Sequence, residues 1–432
     1  MTTRDDRSLR RAAGALAVGL GGVRLAAVPD PRATRGRKWP AATLLRTMLV
    51  GLLSGMKSLK ETERLTDCLA GAMRRKLGVA RRVPDTTMRE FAMALPFGSA
   101  LALLHGQVRA AWRKKQLEPR GLPCGVMAID GKCATTDLDD GVYAQQQADG
   151  RYSVRTMTCS LVSAPGATVV HITPVPRETN EMGVFQTVVR ELDEAYGRGE
   201  LFRLVTTDAG MTSLANADFV HNELKMGYVF ALKGNQPELH GEAVRLLGNL
   251  PAALANGHDQ ERLGDERHHR RVWLAPIEAD LNGWAHAKVL IRVQRQVVTV
   301  GGGLVRSGDD RYFISNEAPG RFTPDQWLAV IRSHWRVEND VHKTLDVILG
   351  EDDHPWIRDP RGMLVLQILR RIACNALNLL RLVSLKAKSA RGAEKLVEWS
   401  HLLGDLHRAL LAALEHHLEG LRWGPELAAP IA

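Results

Sequence analysis

Cysteine and unbroken apolar sequence are both scarce in this chain of 432 residues. The five cysteines, Cys68, Cys124, Cys133, Cys159 and Cys374, form no CxxC pair and no zinc-ligand spacing, which argues against a disulfide-stapled scaffold and for a reduced, cytoplasmic protein. Apolar runs stop short of membrane-spanning length. TLLRTMLVGLLSGM is broken by Arg46, and MLVLQILRRIACNALNLLRLV is broken by Arg370, Arg371, Asn375 and Asn378, so the second reads as a packing helix and no membrane partner is expected. Arg10 and Arg11 ahead of AAGALAVGLGGV imitate a secretory signal, but Arg24 interrupts the run and no clean small-residue cleavage site follows. HExxH spacing is also missing, which weakens a zinc reading of the histidines.

Negative charge is the third deficit. Forty-eight acids face 58 lysines and arginines, a formal net charge of +10, and such a balance points to a polyanionic partner, nucleic acid ahead of an anionic membrane surface. The cations cluster at Arg35, Arg37 and Lys38, at Arg74, Arg75 and Lys76, at Arg81 and Arg82, and at Arg113, Lys114 and Lys115.

Three of the scarce acids stand in informative places. VMAIDGK is a short apolar run ending on Asp130 and a glycine, as a buried strand delivering a carboxylate to a sheet edge would read. LFRLVTTDAG repeats the design with Asp208, and the helical stretch IRSHWRVENDVHKTLDV carries Glu338. Two strand-end aspartates and a helical glutamate form a hard oxygen cage suited to Mg²⁺ or Mn²⁺ and to phosphoryl chemistry. A turn-capping aspartate is the bland alternative for either strand end. On an α-helix His334, Glu338 and His342 share a face, and Arg332, Arg336 and Lys343 add positive charge suited to phosphates or solvated at the helix surface. Trp335 reads as a core residue or a base-stacking one. Lys233, Asn235 and Gln236 in ALKGNQ fall just past a strand, where they would touch a DNA backbone or form a turn. RHHRR, Arg267 to Arg271, is a further candidate for DNA contact, and Glu351, Asp352 and Asp353 read as a structural loop.

The chain divides into a weakly structured segment (1–38), a helical and DNA-binding region (39–120), the first part of an α/β core (121–237), a β-rich insertion (238–316), the helix that returns to the core (317–360) and a C-terminal helical region (361–432). Pro84 followed by Thr87 and Glu90 predicts a capping box ahead of a new helix, compatible with a helix-turn-helix or with an ordinary bundle. Within the core the predicted order is strand, strand, strand, helix, strand, helix, strand. That order, with carboxylates on the first and fourth strands, is the RNase H-like plan and implies a mixed sheet.

AIDGK, TNEMGVFQTVVREL, TTDAG with YVFALKGNQ, RYFISN, and HWRVENDVHKTLDV with GEDD together resemble the DDE transposases of bacterial insertion sequences, in particular their H-repeat-associated branch. The resemblance implies an RNase H-like core with a β-strand insertion, a catalytic triad of Asp130, Asp208 and Glu338, two Mg²⁺ (or Mn²⁺) ions, and cleavage with strand transfer at the terminal inverted repeats. It also implies double-stranded DNA, both element ends and target, as partner, a homo-oligomer on that DNA, and a nucleoid-associated place in a bacterial cytoplasm. Lys132, Lys233, Asn235, Gln236, His334, Arg336, His342 and Lys343 are the DNA-contact candidates. An RNase H-like nuclease without strand transfer and an inactive DNA-binding relative are the rivals. Ile331, His334 and Leu345 stand where the wider superfamily places a tyrosine, an arginine and a lysine, so help from those side chains does not carry over.

Overall fold

A computed structural model describes residues 20–383 apart from 36, 70 and 300–304; the greater part of the signal-like run, 10–19, and the C-terminal region beyond 383 lie outside the described residues. In chain order the α-helices of the first third are α1 (Ala41–Leu53), α2 (Leu59–Cys68), α3 (Gly71–Leu77), α4 (Asp85–Ala94) and α5 (Phe97–Arg113). Strands β1 (Val126–Thr136), β2 (Ala144–Gln146), β3 (Tyr152–Leu161) and β4 (Thr168–Pro174) precede α6 (Glu181–Tyr196), β5 (Leu204–Thr207), α7 (Leu214–Asp218) and β6 (Gly227–Leu232). Then come α8 (Pro237–Leu247), β7 (Gly257–Leu263), β8 (Glu266–Pro276), β9 (Val289–Thr299), β10 (Val305–Ser315), α9 (Pro324–His334), two π-helical turns (Val337–His342 and Thr344–Ile348) and α10 (Pro360–Val383).

The predicted order of core elements holds apart from one short strand that was not expected, β2, which pairs antiparallel with β3, and the sheet is mixed. β1 pairs β5 and β5 pairs β6 in parallel, whereas β3 with β4 and β6 with β10 run antiparallel. Helix α6 begins at Glu181, as TNEMG suggests, because the Asn180 side chain accepts the Gly183 N–H at 3.0 Å and caps the first turn. The β-rich stretch after it opens on a helix, α8, and its strands are not a separate layer. They extend the same sheet in the order β6-β10-β9-β8-β7, so β10 is both the last strand of the insertion and a neighbour of the core.

Two compact units account for the described chain. One takes residues up to 110, the short segment 136–140 and residues from 344 on; the other takes 111–135 and 141–343. In the first unit α10 packs against α1 and α4. Its apolar face is buried from Met363 to Leu379, and Arg370 and Arg371 are fully buried with it. Arg371 pairs with the buried Glu351 at 2.7 Å. Arg370 donates to the carbonyls of His354 and Pro355, and burial brings its guanidinium down to about 10, still cationic at neutral pH. The residues that break the apolar pattern therefore lie inside, each with a polar partner. Helix α4 starts three residues earlier than the capping box at Thr87 would place it. The Asp85 N–H finds the Glu63 carboxylate of α2 at 3.3 Å, and with Pro84 before it the first turn needs no side-chain cap of its own.

Candidate active site

Every residue from Val126 to Ile129 is fully buried, as expected of a central strand covered on both faces, here lying between β3 and β5. Ile129 pairs in parallel with Thr207, so the residues that follow, Asp130 and Asp208, leave adjacent strands side by side, where neighbouring backbones stand ~4.8 Å apart. β1 does not stop at Asp130. It runs on to Thr136, and only its pairing with β5 ends there. Asp208 opens a loop held from three sides. Thr212 Oγ1 donates to the Ala231 carbonyl at 2.8 Å, Asn235 Nδ2 to the Ala209 carbonyl at 2.6 Å, and Gln236 Nε2 to the Thr212 carbonyl at 3.1 Å. The amides of the NQ pair thus spend their donors on the loop that positions Asp208.

Glu338 arrives from the other end of the unit. α9 opens on a full capping box, Thr323 with Gln326, and gives way at Val337 to π-helical turns. In a π-helix hydrogen bonds span five residues rather than four, so the α-helical face predicted for His334, Glu338 and His342 does not survive. His334 is buried, Glu338 is exposed, and His342 lies between these extremes. The His334 ring meets Thr206 Oγ1 at 3.1 Å through Nδ1 and ties α9 to the strand that carries Asp208. Burial brings this imidazole down to about 4, so it is neutral at physiological pH. His342 Nδ1 stands 3.5 Å from Asp130 Oδ2.

The carboxylates act on one another. Burial, then the charges of Asp208 and Glu338, raise Asp130 to about 7, against the pull of the Gly131 N–H; Glu181 adds to the rise. Glu181, the first residue of α6, is itself raised by burial and by Asp208, with Arg155 opposing. Its approach depends on Gly131, since a Cβ there would lie 1.9 Å from Glu181 Oε1. Glu181 is the functional candidate that the sequence did not single out. It reads as the first-turn acid of an amphipathic helix, and only the fold brings it beside the two aspartates.

Among the described residues no three His, Cys, Asp or Glu side chains converge tightly enough to enclose a metal ion as they stand. The donor set nonetheless fits a hard divalent cation: it offers carboxylate oxygens, and its mutual repulsion, felt at Asp130, is what a cation would relieve. The glycine-made space beside Asp130 is filled by another carboxylate.

The remaining candidates spread out. Lys132 is buried at 8% exposure, while Lys233 and Lys343 are exposed. Arg336 is committed to protein partners, with Nε 2.8 Å from Asp340 Oδ2 and Nη1 donating to the carbonyls of Val162 and Ala164. Arg332 pairs with Asp259 and Glu261 on β7. Trp335 packs edge-on to Phe313 and lies under the Arg311 guanidinium at 4.3 Å. All five cysteines are free.

The family model described as the transposase DDE domain matches residues 124–372, a span that holds Asp130, Glu181, Asp208 and Glu338. Two curated proteins of Escherichia coli (strain K12), the putative protein YbfL and the H repeat-associated putative transposase YhhI, are each 26% identical over 263 residues. Each match covers 58% of this chain and 64% of the relative, somewhat less than two thirds of the relative's length.

Proposed function

The chain belongs to the transposase DDE domain family, and from that premise we propose that it is a metal-dependent DNA transposase that cleaves the terminal inverted repeats of an insertion sequence and transfers the ends to target DNA. The observation that carries this reading is the parallel register of β1 and β5, which sets Asp130 beside Asp208 while Glu338 contributes its charge to the same place. Asp130, Asp208 and Glu338 would hold two Mg²⁺ or Mn²⁺ ions, with Glu181 as a further carboxylate at their edge. When bound, such ions would supply activation of the attacking water or 3′-hydroxyl and charge to stabilise the departing oxygen.

The chain's own groups do the rest. Asp130 stands on a strand and Asp208 on a loop pinned through Asn235 and Gln236, so the backbone that carries them would be set before DNA binds. His342 stands against Asp130 and orients its carboxyl. Neutral His334 braces α9 against Thr206, which makes it a positioning residue. Lys233 and Lys343 remain as exposed cations for strand phosphates. The working form on this reading is a homo-oligomer on double-stranded DNA in the bacterial nucleoid.

The test is cleavage of labelled DNA carrying the element's own ends, with Mg²⁺ or Mn²⁺, by the parent and by Asp208→Asn. Metal-dependent nicking at the ends, followed by joining to target, is expected from the parent. The variant should retain binding and lose at least ~10³-fold in rate, the loss typical of removing a key electrostatic group. End cleavage without joining would replace the transposase by a nuclease, and binding with no cleavage in either form would leave an inactive DNA-binding relative.

A further inference from the structure

The four-stranded extension of the sheet has two faces that differ in how their charges are paired. Residues paired directly across antiparallel strands share a face. The registers give three cross-strand rows on one side: His258 with Arg271 and Gln294, Gln260 with His269 and Gln296, and Arg262 with Arg267 and Val298. Asp310 of β10 lies opposite Gln294 and ends the first of these rows on an acid, but the β7, β8 and β9 positions of all three rows hold none. The alternate rows on the other side hold Asp259 with Arg270 and Arg295, and Glu261 with His268 and Val297.

On the second side both acids are paired, and Arg295 is left exposed. Asp259 and Glu261 share Arg270 and Arg332, with separations of 3.3, 3.1 and 2.7 Å and a still shorter contact between Arg332 and Asp259, so a cation of α9 is spent in closing that face. On the first side His258, Gln260, Arg262 and Arg267 are exposed, and among the described residues no carboxylate forms an ion pair with Arg262, Arg267 or Arg271. Arg271 instead donates to Gln294 and Gln296 at 3.4 Å, and Arg262 to the Gly264 carbonyl at 3.1 Å. Toward the core end the same side turns apolar and closed, where Trp273 lies under Arg292 at 4.4 Å and Arg292 pairs with Asp310. Three strands of side chains, ~10 Å across at ~4.8 Å spacing, therefore present arginine, histidine and amide donors with no carboxylate among them.

We propose that this open face of β7, β8 and β9 is a docking surface for the phosphate backbone of duplex DNA. The inference rests on the transposase reading for the identity of the polyanion and on charge complementarity for the surface. Arg262 and Arg267 form its outer row, and Arg271 and His269 the rows behind. Forked arginine donors suit phosphate oxygens, and a row of them fixes the position of a duplex without reading its bases.

The test is the affinity of the full chain for a labelled duplex, followed by fluorescence anisotropy across a salt series, with Ca²⁺ in place of Mg²⁺. Arg262→Gln/Arg267→Gln is compared with Arg198→Gln/Arg295→Gln, which removes the same charge from a distant loop and from the opposite face. The expected result is roughly ten-fold weaker binding for the first pair, with the slope of log affinity against log salt reduced by about two, and little change for the second. Equal affinities and slopes for the two pairs would overturn the surface while leaving the transposase reading standing. A parent that binds anionic vesicles and no duplex would overturn both. Asp208→Asn, measured alongside, should bind as the parent does and fail only in cleavage, so a lost surface and a lost active site give different signatures.

Discussion

Gly131 is the residue at which one methyl group should have the largest effect. Its missing Cβ is the space that the Glu181 carboxylate occupies. In Gly131→Ala the clash falls on the far end of a flexible side chain, so the fold should lose little, within about 1 kcal/mol as for typical tolerated substitutions, while Glu181 is pushed away from Asp130. Thermal unfolding close to that of the parent, together with at least ten-fold weaker Mn²⁺ binding by calorimetry, is the expected pair of results. His334 gives a second prediction at this scale. The unfolded chain takes up a proton at this imidazole near pH 6.5, the folded chain only near 4, so its contribution is complete above 6.5 and is lost as the pH falls toward 4. Full loss corresponds to about 3 kcal/mol. His334→Gln should flatten the stability profile between those limits, read from urea midpoints at pH 4 to 8.

The elements carry the contrast between what was legible and what was not. VMAID, TTDAG and TNEMG could be read because each is a local signal: an apolar run long enough for a buried strand, a glycine at the exit, an asparagine in front of a helical period. α6 and the parallel core strands follow from them. Two things had no local signature. The approach of Glu181 to Asp130 depends on β1 lying in the sheet, and the π turns after His334 break a spacing argument that assumes 3.6 residues per turn. α10 has the opposite lesson: arginines that interrupt the apolar pattern suggest exposure, yet Arg371 is buried because Glu351 is buried with it. Glu351→Ala strands that cation and should cost roughly 3 to 5 kcal/mol, whereas Glu351→Leu with Arg371→Met should cost much less. Denaturant titration of the two variants separates a stranded charge from lost packing.

At the scale of the whole molecule, one compact unit is built from the two ends of the chain and the other from its middle. The middle holds all four carboxylates, Asp130, Glu181, Asp208 and Glu338, and the open arginine face. Substitutions in α10 should therefore change the stability of the end-built unit and leave metal binding by the middle one to be measured separately. The deficit of acids noted in composition also takes on a location at this scale: carboxylates are gathered where strands β1 and β5 end and where β7 meets α9, and are missing from the face beside them.

The packing of α10 on α1 and α4 has a consequence for biosynthesis. Gln107 donates to the Ile372 carbonyl across 265 positions of sequence, so the helices that α10 covers must wait for residues made long after them. The middle unit, complete once Lys343 has emerged, can close earlier. On this order of synthesis the active-site unit would close while the helices that α10 covers are still bare, and that interval is when a chaperone, or a second nascent copy from the same message, would have access to them.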